Sequence, residues 1–398
     1  MNSITHIAVR DTDDDASHGF STPHATLASQ GEAVSKGTLI RRRITEHVQS
    51  LPTARDAAFD LARIIDAENR EARVLRNDEI TLSDDGTWRA GGDELRISRD
   101  AFTSLMAKVG GAGAASYLSG VDPDLRAYNV RALLAKNPND LRKYAVRDGR
   151  DGQREIYAIM GENYPLVGAK ETLDQIARRA PTDSRAEWRY DPNSTRVEFK
   201  ELMRSEVTPT LKQWDDVFQI GRAWSLKDNG AAAIKVALLT FRMACSNMLI
   251  WREDNSYAVR VLHRGAASSV AERLLDGFNE VGDLLRSFTY RWAGVRDIRA
   301  LESPTMDHAI RTFEHLIDTK RLPVSKKHAP VTVAGLSVAW TAEPGDTAAD
   351  VINSVTRYAR DLITSPTEHF AADELEAAAG GLMQLTPSQW DAIRAKSA

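Results

Sequence analysis

Two arginine-rich stretches hold the residue types that most invite chemistry. In residues 235–264, Lys235, Arg242, Arg252, Arg260 and Arg264 face only Glu253 and Asp254, an excess of three positive charges, with His263 alongside. In residues 286–299, Arg286, Arg291, Arg296 and Arg299 face only Asp297, again an excess of three. The second stretch interleaves its cations with Phe288, Tyr290 and Trp292. Cations that track phosphates and rings that stack on bases are what a single-stranded nucleic acid requires. On this reading Arg242, Arg260, Arg264, Arg291 and Arg296 contact phosphate, His263 sits in the same basic patch, and Tyr290 stacks. A plainer account is also open. Phe288 and Trp292 continue the run Val270, Leu274, Phe278, Val281, Leu285 in steps of three and four, the buried stripe of a helix whose arginines would be its solvated face. Arg41-Arg42-Arg43 is a third basic cluster, for which a simple solvated patch is the favoured account.

Other constellations fall short of a site. Gly110-Gly111-Ala112-Gly113-Ala114 lacks the Gly-Lys-Ser/Thr ending of a phosphate loop and reads as a helix-breaking linker. His308 and His315 lie two helical turns apart, about 10 Å, too far to share one ion. Cys245 is the single cysteine, which rules out an internal disulfide and a cysteine-based zinc cluster. It stands between Met243 and Met248 and reads as a small buried hydrophobe. No Gly-x-Ser-x-Gly elbow is present. No catalytic residue, cofactor or metal site is therefore assigned.

The run Phe241-Arg242-Met243-Ala244-Cys245-Ser246-Asn247-Met248-Leu249, then Val261-Leu262-His263-Arg264-Gly265, resembles the phage/plasmid-like family of the domain of unknown function numbered nine hundred and thirty-two. That family shows an Arg-x-x-Cys-x-Asn segment followed by His and Gly. Upstream, Arg154 to Tyr164 is similar to its arginine-plus-tyrosine strand, and the likeness covers about residues 95–275. Met248 stands where members often carry Gly or Thr, and Lys227-Asp228-Asn229-Gly230 stands where an Asn-Ser segment is expected. The resemblance implies a gene carried by phages, plasmids or prophages and no settled activity. The sheet-then-helix order is also loosely similar to single-strand annealing recombinases, which place single-stranded DNA along a basic groove of a sheet and assemble into rings or filaments. The expectation is a nucleic-acid-binding accessory of replication or recombination, with single-stranded DNA and further copies of the chain as partners. Two alternatives stay open. One is a non-catalytic assembly or interaction protein, for example a host-defence antagonist. The other is an enzyme with a site at Arg242, Asn247 and His263, although those three equally suit a buried polar network.

At 398 residues, the elements that must position these groups can bury roughly three quarters of the unfolded surface. A composition of 42% hydrophobic and 27% charged residues excludes a wholly disordered chain, and a net charge of -4 excludes a globally basic coat. Asp11, Asp13, Asp14 and Asp15 occupy the place of a signal peptide's basic run, and no apolar stretch suits a membrane span. The bacterial cytosol is the expected compartment.

The pattern predicts an α+β fold: an antiparallel sheet core with packed helices, a small α/β N-terminal module and a helical C-terminal region. Residues 1–38 read as a flexible arm. Residues 39–138 read as a helix and small-sheet module, with Thr53, Ser98 and Asp122 capping helices and Asp84-Asp85-Gly86 and Gly91-Gly92 as turns. Residues 139–265 read as the antiparallel core, with hairpins at residues 148–152, 191–194 and 227–230. Val197 and Phe199 alternate there with Glu198 and Lys200, the period of a half-buried strand. Residues 266–398 read as helical, apart from a small extended pair expected over 331–341 around Gly335, and Thr386-Pro387-Ser388-Gln389 is a capping box.

Overall fold

The computed structural model describes residues 46, 48–149, 152–164, 168–207, 218–229, 233–242, 247–251, 259–261, 287–362 and 369–397. The expected arm, Arg41-Arg42-Arg43, Cys245, His263, Arg264 and the stripe from Val270 to Leu285 lie outside them. The fold is α+β, with two six-stranded sheets and a helical C-terminal region.

Helix α1 (Ala54–Asp66) starts where expected, because the Thr53 hydroxyl accepts from the Asp56 N–H at 3.1 Å. Four strands follow: β1 (Glu71–Arg76), β2 (Ile80–Leu82), β3 (Trp88–Ala90) and β4 (Asp93–Ile97). Ser98 caps α2 (Arg99–Val109) through the Ala101 N–H. The short α3 (Ala114–Ser119) follows a turn in which Gly111 and Gly113 take φ of +85°, a left-handed backbone natural to glycine. Then come α4 (Pro123–Ala135), β5 (Leu141–Asp148) and β6 (Arg154–Gly161). Asp122 occupies the cap position of α4 but makes no capping hydrogen bond with its side chain.

The first sheet runs β1-β5-β6-β4-β3-β2, antiparallel except for the parallel β4–β6 pair. This corrects the expected boundary at 138/139: β5 and β6 complete the sheet of the N-terminal module instead of opening the core. Their inward residues Tyr144, Ile156 and Ile159 share one apolar cluster with Leu105, Val130 and Leu134 of α2 and α4.

The second sheet is wholly antiparallel. Helix α5 (Ala169–Arg179) precedes β7 (Arg185–Asp191), β8 (Arg196–Val207), β9 (Phe218–Lys227), β10 (Ile234–Arg242), β11 (Asn247–Trp251) and β12 (Val259–Val261). The order is β11-β10-β9-β8-β7, and β12 shares the β10 edge with β11, pairing with residues 234–236 while β11 pairs with 238–242. Helices α1 and α5 cover one face through Leu61, Leu173, Phe199, Trp224 and Val236. The two sheets are joined through Arg70, whose guanidinium bonds Asp228, donates to the Tyr190 hydroxyl at 2.6 Å and lies over the Tyr157 ring. Burial pushes the Asp228 carboxyl up to about 6 against the opposing pull of Arg70.

The C-terminal helices are α6 (residues 287–297), α7 (Met306–Asp318), α8 (Ala329–Thr341), α9 (Ala348–Leu362), α10 (His369–Leu382) and α11 (Pro387–Ser397). The Phe218 ring of β9 holds α6 to the sheet, with centroids 5.2 Å from both Phe288 and Trp292. The extended pair expected over 331–341 is instead helix α8. Val331, Thr332, Val333 and Val338 favour strands locally, but packing overrides that preference. Gly335 is required there for close approach, since a Cβ would sit 2.1 Å from the Tyr358 ring of α9. Among the described residues no helix is long and apolar enough to cross a membrane.

Candidate functional site

Strand period two places Arg196, Glu198 and Lys200 on one face of β8. Register sets them against Asp191, Arg189 and Glu187 of β7, so each cross-strand pair joins opposite charges. Helix α10 lies over this face. Lys200 Nζ stands 2.5 Å from Asp373 Oδ1 and 2.7 Å from Glu376 Oε2, and Arg189 donates to Asp373 Oδ1 at 2.6 Å. Glu198 and Lys200, the polar half of that alternation, are therefore only 5% and 2% exposed. Alternation marked the strand correctly but not which face would be covered, because α10 arrives from more than 160 residues further along the chain.

The charges in this layer tune one another. Burial pushes the Glu198 carboxyl up to about 7, and the neighbouring Asp373 charge adds to it. Burial alone would raise Asp373 too, but Lys200 and Arg189 hold it below the usual carboxylate range. Its second oxygen, Oδ2, is buried with no hydrogen-bond partner among the described residues.

Beside this layer runs an open groove of about 920 Å³. Its floor includes Ala223, Ala237 and Ala377, small side chains that leave the space unfilled. Arg196, Lys227 and Lys235 line it from β8, β9 and β10, and Lys320 and Arg321 line it from the turn after α7. Glu198, Asp373 and Glu374 supply its acidic groups. Arg196 donates to Glu198 at 2.8 Å, as does the Ser225 hydroxyl, and Lys227 pairs with Asp100 at 2.9 Å. Lys320 and Arg321 form no ion pair among the described residues. Lys320 takes φ of +57°, where glycine is the natural occupant, while the Arg321 N–H closes the helix end on the Leu316 carbonyl at 2.9 Å.

The residues singled out from sequence divide into groups. Arg260 opposes Lys235 across the β10–β12 ladder. Arg242 opposes Asn247 on β11 and Phe218 on β9. It lies seven residues from Lys235, about 23 Å along a strand at 3.3 Å per residue. That odd step puts the two positions on opposite faces, so the first basic stretch is split by the sheet. On α6, Phe288 and Trp292 are buried as the stripe predicts, while Arg291 is exposed and Tyr290 is 79% exposed. Arg296 is half-buried; burial lowers its pKa against the pull of Asp350, Glu343 and Asp297. His308 accepts or donates at Nδ1 with Ser303 and Thr305, at 2.8 and 2.7 Å, in the manner of a helix-end contact.

The basic-stretch reading missed Arg196, Lys227, Lys320 and Arg321. No window of sequence contains more than two of them, and only the Lys320-Arg321 dipeptide after a helix offered a local signal. No family model, no curated protein and no solved structure matches the chain.

Proposed function

We propose that the protein binds single-stranded nucleic acid in the groove between its second sheet and helix α10, as a non-catalytic accessory of phage or plasmid replication and recombination. The observation that carries this reading is the convergence of five cations, from three strands and one interhelical turn, on a single open channel. Arg260 stands opposite Lys235 in register on β12. Phosphates would follow these side chains, and the affinity would be electrostatic and tolerant of sequence. Lys320 takes the left-handed position that closes α7 and lines the groove beside Arg321. Tyr290 and Arg291 form a separate exposed position on α6, suited to a base and a phosphate beyond the groove.

Fluorescence anisotropy of a labelled oligothymidylate at low salt tests the proposal. Wild-type protein is expected to bind, and Lys235→Glu and Arg321→Glu are each expected to weaken binding about tenfold or more, the equivalent of about 1.4 kcal/mol. Loss of binding in Arg291→Glu alone, with both groove variants unaffected, would move the interface to α6. Absence of binding by the wild type would leave an assembly or interaction protein as the reading.

A further inference from the structure

A cavity of about 300 Å³ opens in the N-terminal module and shares no lining residue with the groove. Its walls are apolar: Leu82 of β2, Trp88 of β3, Ile97 of β4 and Phe102 of α2. The Trp88 and Phe102 rings meet edge to face, with centroids 6.2 Å apart. The polar groups of the lining are nearly all donors. Arg99, the first residue of α2, is exposed and pairs with nothing among the described residues. Arg126 of α4 closes the end of α3. Its Nε donates to the Leu118 carbonyl at 2.8 Å and its Nη2 to those of Ser119 and Val121 at 3.5 and 3.3 Å, groups that a helix end leaves without intrahelical partners. That task occupies one edge of the guanidinium and leaves Nη1 over. Trp88 is only 4% exposed, yet its indole N–H has no hydrogen-bond partner among the described residues, where a buried tryptophan normally finds one. Among the described residues, Ser119 is the one lining side chain able to accept, its own proton being given to the Ala115 carbonyl at 2.7 Å, and no carboxylate lines the cavity.

We propose that this cavity binds a small aryl carboxylate, its ring against Trp88 and Phe102 and its carboxylate held by Arg99 and the spare Nη1 of Arg126. Charge selects the head of the ligand. Two guanidinium groups and an unspent indole N–H call for a group that only accepts, and an ionised carboxylate does so at both oxygens. A neutral head leaves the two cations unmatched, and a cationic head is repelled. The walls select the body. A bare inorganic anion would leave the apolar lining against water, whereas an aromatic ring removes it from water and meets Trp88 and Phe102 in the geometry that rings prefer. The volume stands at the lower end of the roughly 300–1,000 Å³ found for ligand pockets, which suits one ring with a short side chain. None of the groove cations takes part, so this proposal and the nucleic-acid reading stand or fall separately.

Isothermal titration calorimetry of the full chain tests it, with 3-phenylpropionate as the probe and 3-phenylpropan-1-ol, 3-phenylpropylamine and inorganic phosphate as its comparisons. The carboxylate is expected to bind saturably, one per chain, with a Kd below about 1 mM. The alcohol should bind about tenfold more weakly or worse, and the amine and phosphate not at all. Arg99→Gln is expected to weaken 3-phenylpropionate about tenfold, and Arg99→Lys less. Because Arg99 is exposed, both variants keep their fold, which an unchanged circular-dichroism melt checks. Trp88→Phe keeps the ring and removes the N–H, and should weaken the carboxylate more than the alcohol. No saturable binding of 3-phenylpropionate by the wild type would overturn the proposal. So would an alcohol or phosphate that binds as tightly as the carboxylate, or an Arg99→Gln protein whose affinity is unchanged.

Discussion

Glu198 joins the groove to pH. Its carboxyl titrates near 7 when folded and near its ordinary 4.5 when unfolded, because burial and then Asp373 oppose its charge. Between those values the folded protein holds a proton that the unfolded chain has given up. Glu198 therefore lowers stability progressively as pH rises from about 4.5 to about 7. Urea midpoints measured at pH 5.5 and 8 should fall with pH in the wild type and fall less in Glu198→Gln. Protonation also removes an anion from the groove and relaxes the hold on Arg196. Affinity for oligothymidylate is thus expected to rise as pH drops through 7, with the Gln variant binding more tightly and nearly independently of pH in that range. An unchanged pH profile in Glu198→Gln would remove this residue from the account. Lys320→Gly separates charge from backbone at the other rim. It should raise stability by about 0.5 kcal/mol, since relief of left-handed strain exceeds the added freedom of the unfolded chain. Affinity should fall in the same protein. A stability gain without loss of affinity would make Lys320 structural only.

At the scale of elements, two glycines mark the closest approaches. A Cβ on Gly221 of β9 would lie 1.8 Å from the Glu201 carbonyl oxygen of β8, where neither backbone can yield. A Cβ on Gly335 would meet the Tyr358 ring, which can turn aside. Gly221→Ala is expected to cost about 3 kcal/mol, the upper end for overpacking, and Gly335→Ala about 1 kcal/mol after alanine's helical advantage. Urea denaturation of both variants checks the order, and a reversal would show that the second sheet yields more readily than the α8–α9 contact. Most elements were legible because their signals are local. The Thr53 and Ser98 caps and the reciprocal Thr386–Gln389 bonds all form as the residues dictate. What failed was set at a distance. Helix α8 was misread because Gly335 and three valines look extended until Tyr358 is beside them. Strands β5 and β6 were assigned to the wrong sheet because the hairpin between them says nothing about β1 and β4.

Across the whole molecule, charge is distributed against the average. The chain is net negative at -4, so attraction for phosphate must be confined to a locally positive channel. The sequence showed where arginines are dense but not that β10 sends Lys235 and Arg242 to opposite faces. Nor could it place Lys320 and Arg196 on one groove, since the C-terminal helices must first fold over the second sheet. Two of the seven residues named from sequence, Tyr290 and Arg291, keep a place in the proposed interface. The salt dependence of oligothymidylate binding tests the central claim most directly. If the five groove cations each displace a counterion, log K against log salt concentration should fall with a slope of about -3.5, at roughly 0.7 per neutralised phosphate. The Lys235→Ala, Lys320→Ala double variant should flatten that slope by about 1.4. A wild-type slope near zero, or one that the double variant leaves unchanged, would contradict the account.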